Sequence, residues 1–544
     1  MINLLIATFI TNLSYYLVGK TFFKGNIVNE KRNIAETLIN GFIIISFISL
    51  LINFFFPLTK ILTTGFFLFF LIYFFIKKER FNKKEVNFLL YTSLFIISFI
   101  IYDNVNRPDA MIYHLPFSKI LNEEKILIGL SNIHFRFGHV SILQYTSSFN
   151  VNYFTGDVGV LIPLASIYIL IIFYIINELF ISLKSQNFNY TTIFLVLILF
   201  FITYKINRYS KLGNDDIGHL MAFILIYKFI TIKNINFTNF KEITLLAVFT
   251  TTNKFSLIFF AIFPLVFLLN NKKKFIRIFF SFPALFLALW LIKNILISGC
   301  VLFPVKQTCF ESLSWTNIKQ IESEEVSGEA WSKDWPNYSD QKADMKIYIS
   351  KFNWLDTWLN NHFKKILLNL LPLSIFIFTV FLYLRNQKKY KTNITTSDMR
   401  QLYIALTITA LGILIFFIKF PLYRYGYSYM AAFITLFGAV YIDTRNKKKI
   451  SKLINFVLMF SFIIILGKQF LRYYNYYETR SLIPRIVDKD LQLEKIYLSK
   501  NFKYYLNRNS QNCWYNVPVC TYIITNNIEV KNFFTYKIIK PKNN

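Results

Sequence analysis

Apolar runs of roughly 15 to 25 residues recur along the whole chain, and each is bounded by clusters of Lys, Arg or Asn. A helix of that length is what crosses a hydrocarbon core of about 30 Å. The runs fall at 1–19, 37–56, 61–76, 87–102, 157–183, 191–204, 217–232, 242–253, 255–270, 278–297, 366–384, 401–418, 427–443 and 453–467. They predict an all-α polytopic membrane protein with about fourteen transmembrane helices. The first run has no clear small-residue cleavage site and more apolar runs follow it, so it is read as a retained helix, not a signal peptide. The expected organisation is N-terminal transmembrane helices over 1–86, a transmembrane core over 87–467 and a tail over 468–544.

Composition agrees with this pattern: 55% of the 544 residues are hydrophobic. A net charge of +31 would suggest a nucleic-acid partner for a soluble chain, but here the cations are concentrated in short connections. KKERFNKK (Lys77 to Lys84), NNKKKFIR (Asn270 to Arg277), RNQKKYK (Arg385 to Lys391) and RNKKKISK (Arg445 to Lys452), with Lys20 to Arg32, occupy alternate connections. The positive-inside rule puts these in the cytoplasm, so membrane lipids are expected as partners and nucleic acid is not. A coding bias towards Asn, Lys, Ile and Phe explains part of the basicity equally well. The outward set is then 103–156, 205–216, 298–365, 419–426 and the tail.

Cys300, Cys309, Cys513 and Cys520 all lie in outward segments, as the local pairs CVLFPVKQTC and CWYNVPVC. Two loop disulfides are expected, since neither spacing matches a zinc finger or ribbon. All five histidines, His114, His134, His139, His219 and His362, also lie in or beside outward segments. No glycine pattern for nucleotide binding occurs, and the cytoplasmic connections are too small for a catalytic domain. Any enzyme activity is therefore expected on the outer face, where nucleotide sugars and ATP are not normally supplied. The alternating stretch EVKNFFTYKII suggests a small folded cap in the tail.

Candidate chemistry collects in these outward segments. In DAMIYHLPFSKILNEEKILIGLSNIHFRFG, Asp109 follows Pro108 and precedes a helix that Pro116 breaks or restarts, so it is either a helix cap or a functional acid. From Pro116 to Leu130 the apolar spacing predicts an amphipathic element lying on the membrane. In RYSKLGNDDIGH, Asp215 and Asp216 either cap the next helix or offer oxygen ligands to a divalent metal. Arg424 in KFPLYRYGYSY and Lys254 in TTNKFS are candidate phosphate holders, or ordinary interfacial cations. Arg136 and Lys211 are further cationic candidates. Acids that accept a proton, with cations that stabilise a departing phosphate, are what glycosyl transfer from a lipid-phosphate donor needs.

DAMIYHLPFSKILNEEKILIGLSNIHFRFG also resembles the first outer loop of bacterial polytopic proteins with a D-x-x-x-Y-H-L-P signature, a group similar to the GT-C superfamily of membrane glycosyltransferases. SGCVLFPVKQTCF and KFPLYRYGYSYMAAF are similar to later segments of that group, and the resemblance covers roughly residues 85 to 430. It implies a GT-C-like core with amphipathic helices in the first large outer loop, a polyprenyl-phosphate sugar donor, and Asp109 as the catalytic loop acid, acting as base or orienting the acceptor. It further implies that Tyr113 and His114 neighbour the chemistry, and that Asp215 or Asp216 matches acids of the next outer loop. The chain departs from the usual pattern by about three additional spans before the loop, and it lacks a D-E or D-D pair at the first acid. The expectation is a glycosyltransferase of the bacterial inner membrane, active on its extracytoplasmic face, with an envelope glycan, lipid or protein as acceptor. Rivals are a lipid-linked glycan flippase or transporter, an O-antigen-type polymerase, and a non-catalytic envelope assembly protein. A carrier would be expected to show ionisable residues at mid-helix and repeated halves, and few such residues and no repeat are evident.

Overall fold

The computed structural model describes residues 1–23, 33–78, 80–103, 109–205, 215–232, 235–270, 276–340, 344–385, 396–525 and 527–542. The chain is mostly helical, and every apolar run lies on helical structure. Among the described residues, six helices are long and apolar enough to cross a membrane: Ile2–Phe22, Ile34–Asn53, Asp157–Ser185, Leu355–Leu384, Arg400–Lys419 and Lys447–Tyr476. Shorter apolar helices include Lys60–Ile76, Tyr190–Lys205, Phe255–Leu269 and Phe282–Ser298. By length and composition this is a helical membrane protein.

Small residues let the first two helices meet backbone to backbone. A Cβ added to Gly19 would lie 2.0 Å from the Thr37 carbonyl oxygen, and one added to Gly41 would lie 1.8 Å from that of Tyr15. The Ile34–Asn53 helix then packs on Ile142–Phe149 and Ile162–Ser185. Tyr190–Lys205 contacts Tyr423–Tyr441 and Lys447–Tyr476, while Asp215–Thr231 contacts Phe237–Asn253. These contacts bring the ends of sequence-distant helices together.

Two boundaries differ from the hydropathy pattern. The Lys447–Tyr476 helix continues past residue 467, because its basic residues satisfy neighbouring helix ends. Lys468 donates to the Thr203 and Tyr204 carbonyls at 2.8 and 2.5 Å, and Arg472 to those of Phe99 and Ser98 at 2.9 and 2.5 Å. The stretch from Pro116 to Leu130 is not an exposed amphipathic element. Its helix ends at Glu123, and Phe117, Ile120, Leu121, Ile126, Leu127 and Leu130 are all buried.

The tail docks on this stretch at Asn122, Glu124, Ile128 and Gly129. β1 (Glu494–Ser499) and β2 (Phe502–Leu506) are antiparallel, β3 (Cys520–Thr521) is parallel to β2, and β4 (Ile528–Phe533) pairs with β5 (Tyr536–Pro541). Ile128 N–H donates to the Lys537 carbonyl at 3.1 Å, and Ile539 N–H to that of Ile128 at 2.8 Å. Gly129 has φ +71°, and a Cβ there would lie 2.0 Å from the Ile539 oxygen, so the close approach requires glycine. Tyr515 Oη donates to Asn122 at 2.6 Å, and Lys537 pairs with Glu124 at 2.7 Å. Both expected disulfides, Cys300 to Cys309 and Cys513 to Cys520, are formed.

Candidate functional site

Asp109 has helical backbone angles and makes no capping bond with its side chain. It is followed by a five-residue π-helical turn, Ala110–His114, and then by the helix Leu115–Glu123. Pro116 explains this local form. Leu115 N–H bonds to the Ala110 carbonyl, and Pro116 has no N–H, so the Met111 carbonyl loses its donor within the turn. The backbone N–H groups of Cys513 and Trp514 supply it instead, at 2.9 and 3.0 Å. The disulfide-closed tail loop thus holds the turn that follows Asp109.

Free of a capping role, the Asp109 carboxylate pairs with Arg136 through Oδ1, and its Oδ2 lies 3.9 Å from Arg424 Nη1. Arg136 is presented by the turn Phe135–His139, which His134 caps: its Nδ1 accepts the Arg136 backbone N–H at 3.1 Å. Burial lowers the His134 imidazole to about 3, with the Arg136 charge acting in the same direction, so this acceptor stays neutral. The Arg136 guanidinium also lies 5.4 Å from the centre of the half-buried Tyr113 ring.

Arg424 lies in the first turn of the helix Tyr423–Tyr441, and its carbonyl is a junction. It accepts from His219 Nε2 at 3.0 Å and Lys254 Nζ at 3.2 Å. His219 also accepts from Ser428 Oγ at 2.7 Å, which fixes its ring against Tyr427. Lys254 forms an ion pair with Asp215 and sits 4.3 Å from the centre of the Tyr425 ring. Arg424 Nη2 donates to Tyr425 Oη at 2.9 Å. Asp109, Arg136, Arg424, Lys254 and Asp215 therefore form one cluster, with Tyr113 and Tyr425 as its aromatic walls. The Asp109 and Arg424 side chains are 34% and 48% exposed, and that of Lys254 is 8% exposed, so the cluster is open on one side and buried on the other.

Other candidates lie apart. His114 is buried, accepts from Gln144 Nε2 at 2.5 Å, and has its ring centre 4.1 Å from that of Tyr113. Burial lowers it to about 4 against the opposing charges of Asp109 and Asp215, which suits a neutral support beneath Tyr113 better than a group in contact with ligand. Asp216 accepts from Tyr427 Oη at 3.2 Å. The two adjacent acids thus have different neighbours, Lys254 for Asp215 and Tyr427 for Asp216. Lys211 lies outside the described residues. Tyr425 was not distinguishable in the sequence from its neighbours Tyr423, Tyr427 and Tyr429; its bond with Arg424 and its place over Lys254 single it out.

No curated protein and no solved structure matches the chain. A family model described as "Domain of unknown function (DUF8201)" matches residues 1–431, a span that contains every residue of the cluster. The chain belongs to the DUF8201 family.

Proposed function

We propose that this protein is a GT-C-like membrane glycosyltransferase that moves a sugar from a polyprenyl-phosphate carrier to an envelope glycan, lipid or protein. The observation that carries the reading is the convergence of Asp109, Arg136, Asp215, Lys254 and Arg424, which are scattered along the sequence, into one half-open cluster of alternating charge. On this reading about fourteen helices cross a bacterial inner membrane, and the cluster and the tail face the extracytoplasmic side.

Each side chain then has a task. The acceptor hydroxyl oxygen attacks the anomeric carbon as the carbon–oxygen bond to the phosphate breaks, and the hydroxyl proton passes to Asp109 Oδ2. The Oδ1 atom stays on Arg136, which orients the carboxylate. The phosphate departs with the bonding electron pair, and Arg424 and Lys254 stabilise its growing charge. Asp215 holds Lys254 in place, and its negative charge keeps the site from being occupied too tightly by product phosphate. Tyr113 and Tyr425 offer ring faces to a sugar.

The test is to incubate the purified chain in lipid vesicles with polyprenyl-phosphate sugars and a crude envelope acceptor fraction, and to measure release of polyprenyl phosphate. Release that depends on acceptor and falls in Arg424→Gln supports transfer. Movement of intact lipid-linked sugar between leaflets, with no release, would replace this reading with that of a flippase.

A further inference from the structure

The hairpin of β4 and β5 ends in a turn that packing within the chain does not account for. Phe533 pairs with Tyr536 across the ladder, which leaves Phe534 and Thr535 as the two turn residues. Phe534 holds φ at +51°, a left-handed angle that turns of this length usually give to glycine or asparagine. Phe534 is 87% exposed and Phe533 59%, and their ring centres are 4.8 Å apart, so the two rings form one apolar tip. Lys531, Asn532 and Thr535 beside them are exposed as well. A bulky ring at a strained turn position, left outside the core, gains little from the fold itself.

The tip is fixed beside the end of a long apolar helix. Tyr536 Oη donates to the Phe54 carbonyl at 3.0 Å, directly after the helix Ile34–Asn53. Lys125 Nζ donates to Thr535 Oγ1 and lies 3.9 Å from the centre of the Tyr536 ring. The backbone around Lys125 is held at the same place: Ile126 N–H donates to the Asn53 carbonyl at 2.9 Å, and Asn53 Nδ2 to that of Glu124 at 3.1 Å. Phe55 and Phe56, which follow that helix, are exposed too. The helix is long and apolar enough to cross a membrane, so its end belongs at a bilayer surface. Exposed rings with tyrosine and lysine around them have the composition of that boundary.

We propose that the tip of the β4–β5 hairpin is a lipid-binding wedge: Phe533 and Phe534 enter the bilayer beside Phe55 and Phe56, while Lys125 and Lys531 stay at the level of the headgroups. Burial of the two rings in hydrocarbon offsets the strain of the turn, and the lysines attract anionic headgroups. A lipid surface fits better than a protein partner because the tip adjoins the end of a helix whose own surroundings are lipid. The proposal does not depend on the transferase reading. Its consequence is mechanical. β5 also bonds to Ile128 and pairs with Glu124, so a tip seated in lipid fixes the first large loop at a set height on the bilayer.

All four cysteines are in disulfides, so one added thiol can carry a nitroxide label. The full chain is labelled at Asn532→Cys, which keeps both rings, or at Phe534→Cys, and placed in nanodiscs of phosphatidylcholine with phosphatidylglycerol. Collisions of the label with oxygen, which concentrates in hydrocarbon, and with a neutral nickel chelate, which concentrates in water, are then measured. The Phe534→Cys label is expected to favour oxygen at a depth of about 5–10 Å below the phosphates. The Asn532→Cys label is expected to be shielded from nickel, with a severalfold rise in nickel collisions when Phe533→Ser and Phe534→Ser are added to the same chain. Free access of nickel to both labels while the rings are present overturns the proposal. Shielding from nickel and oxygen alike also overturns it, since a second copy or another protein would then cover the tip. Nickel access at Asn532→Cys that ignores the loss of the rings overturns their role as the wedge.

Discussion

Lys254 and Arg424 are both cations of the cluster, yet their burial assigns them different weights. The Lys254 ammonium is held in a buried position by Asp215 and the Arg424 carbonyl. Lys254→Met leaves Asp215 without its counter-charge and is expected to cost about 3 kcal/mol of stability, of which Asp215→Asn in the same chain recovers most. Denaturant unfolding in micelles measures both, and equal stability of the single and double variants would contradict the pairing. Arg424, about half exposed, is expected to change stability by less than about 1 kcal/mol when replaced by Gln. Its loss should appear in phosphate affinity. The two buried histidines add a pH dependence. His114 and His134 titrate at about 4 and about 3 in the folded chain, below the ordinary 6.5. The unfolded chain therefore takes up protons first as pH falls. The stability these groups contribute is fully present above about 6.5 and is lost progressively from there down towards their folded values. Unfolding midpoints at about pH 7.5 and about pH 5 should differ more in wild type than in a His114→Gln/His134→Asn chain.

The elements explain why these residues meet. Pro116 removes one N–H, the Met111 carbonyl is left open, and the tail loop closed by Cys513 and Cys520 fills it. In a Cys513→Ser/Cys520→Ser chain, backbone hydrogen exchange over residues 110–116 is expected to rise while the Tyr190–Lys205 helix stays protected. Unchanged exchange over 110–116 would show that the tail does not hold the turn. Much at this scale is legible in the sequence, because runs of Ile, Leu and Phe bounded by Lys and Asn leave the chain no alternative to helices in lipid. The short-range cysteine pairs are legible for a similar local reason. What packs around Ile126 to Leu130 is not, since half-apolar spacing suits a bilayer surface and a protein surface alike, and the partners come from Asn53, Leu296 and the Lys537 to Ile539 strand, all distant in sequence. The direction of Asp215 and Asp216 is also hidden, because it depends on whether Lys254 or Tyr427 packs beside each acid.

At the scale of the whole molecule, helices from the first half of the chain and the Tyr423–Tyr441 helix bring one acid from the first large loop to cations from three later positions. The helix Ile318–Ser332 lies over the join, and the tail braces it from the other side. On the proposed reading, this arrangement sets a proton acceptor beside the group that would hold the donor phosphate. Asp109 is the residue on which this account depends, since the cations alone would serve a binding protein equally well. The most direct measurement is single-turnover transfer from a polyprenyl-phosphate sugar by wild type and Asp109→Asn in vesicles, with neryl methyl phosphate affinity measured on the same samples. The account predicts a loss of about 10² to 10⁴-fold in transfer with phosphate binding retained. Transfer at the wild-type rate in Asp109→Asn would contradict it.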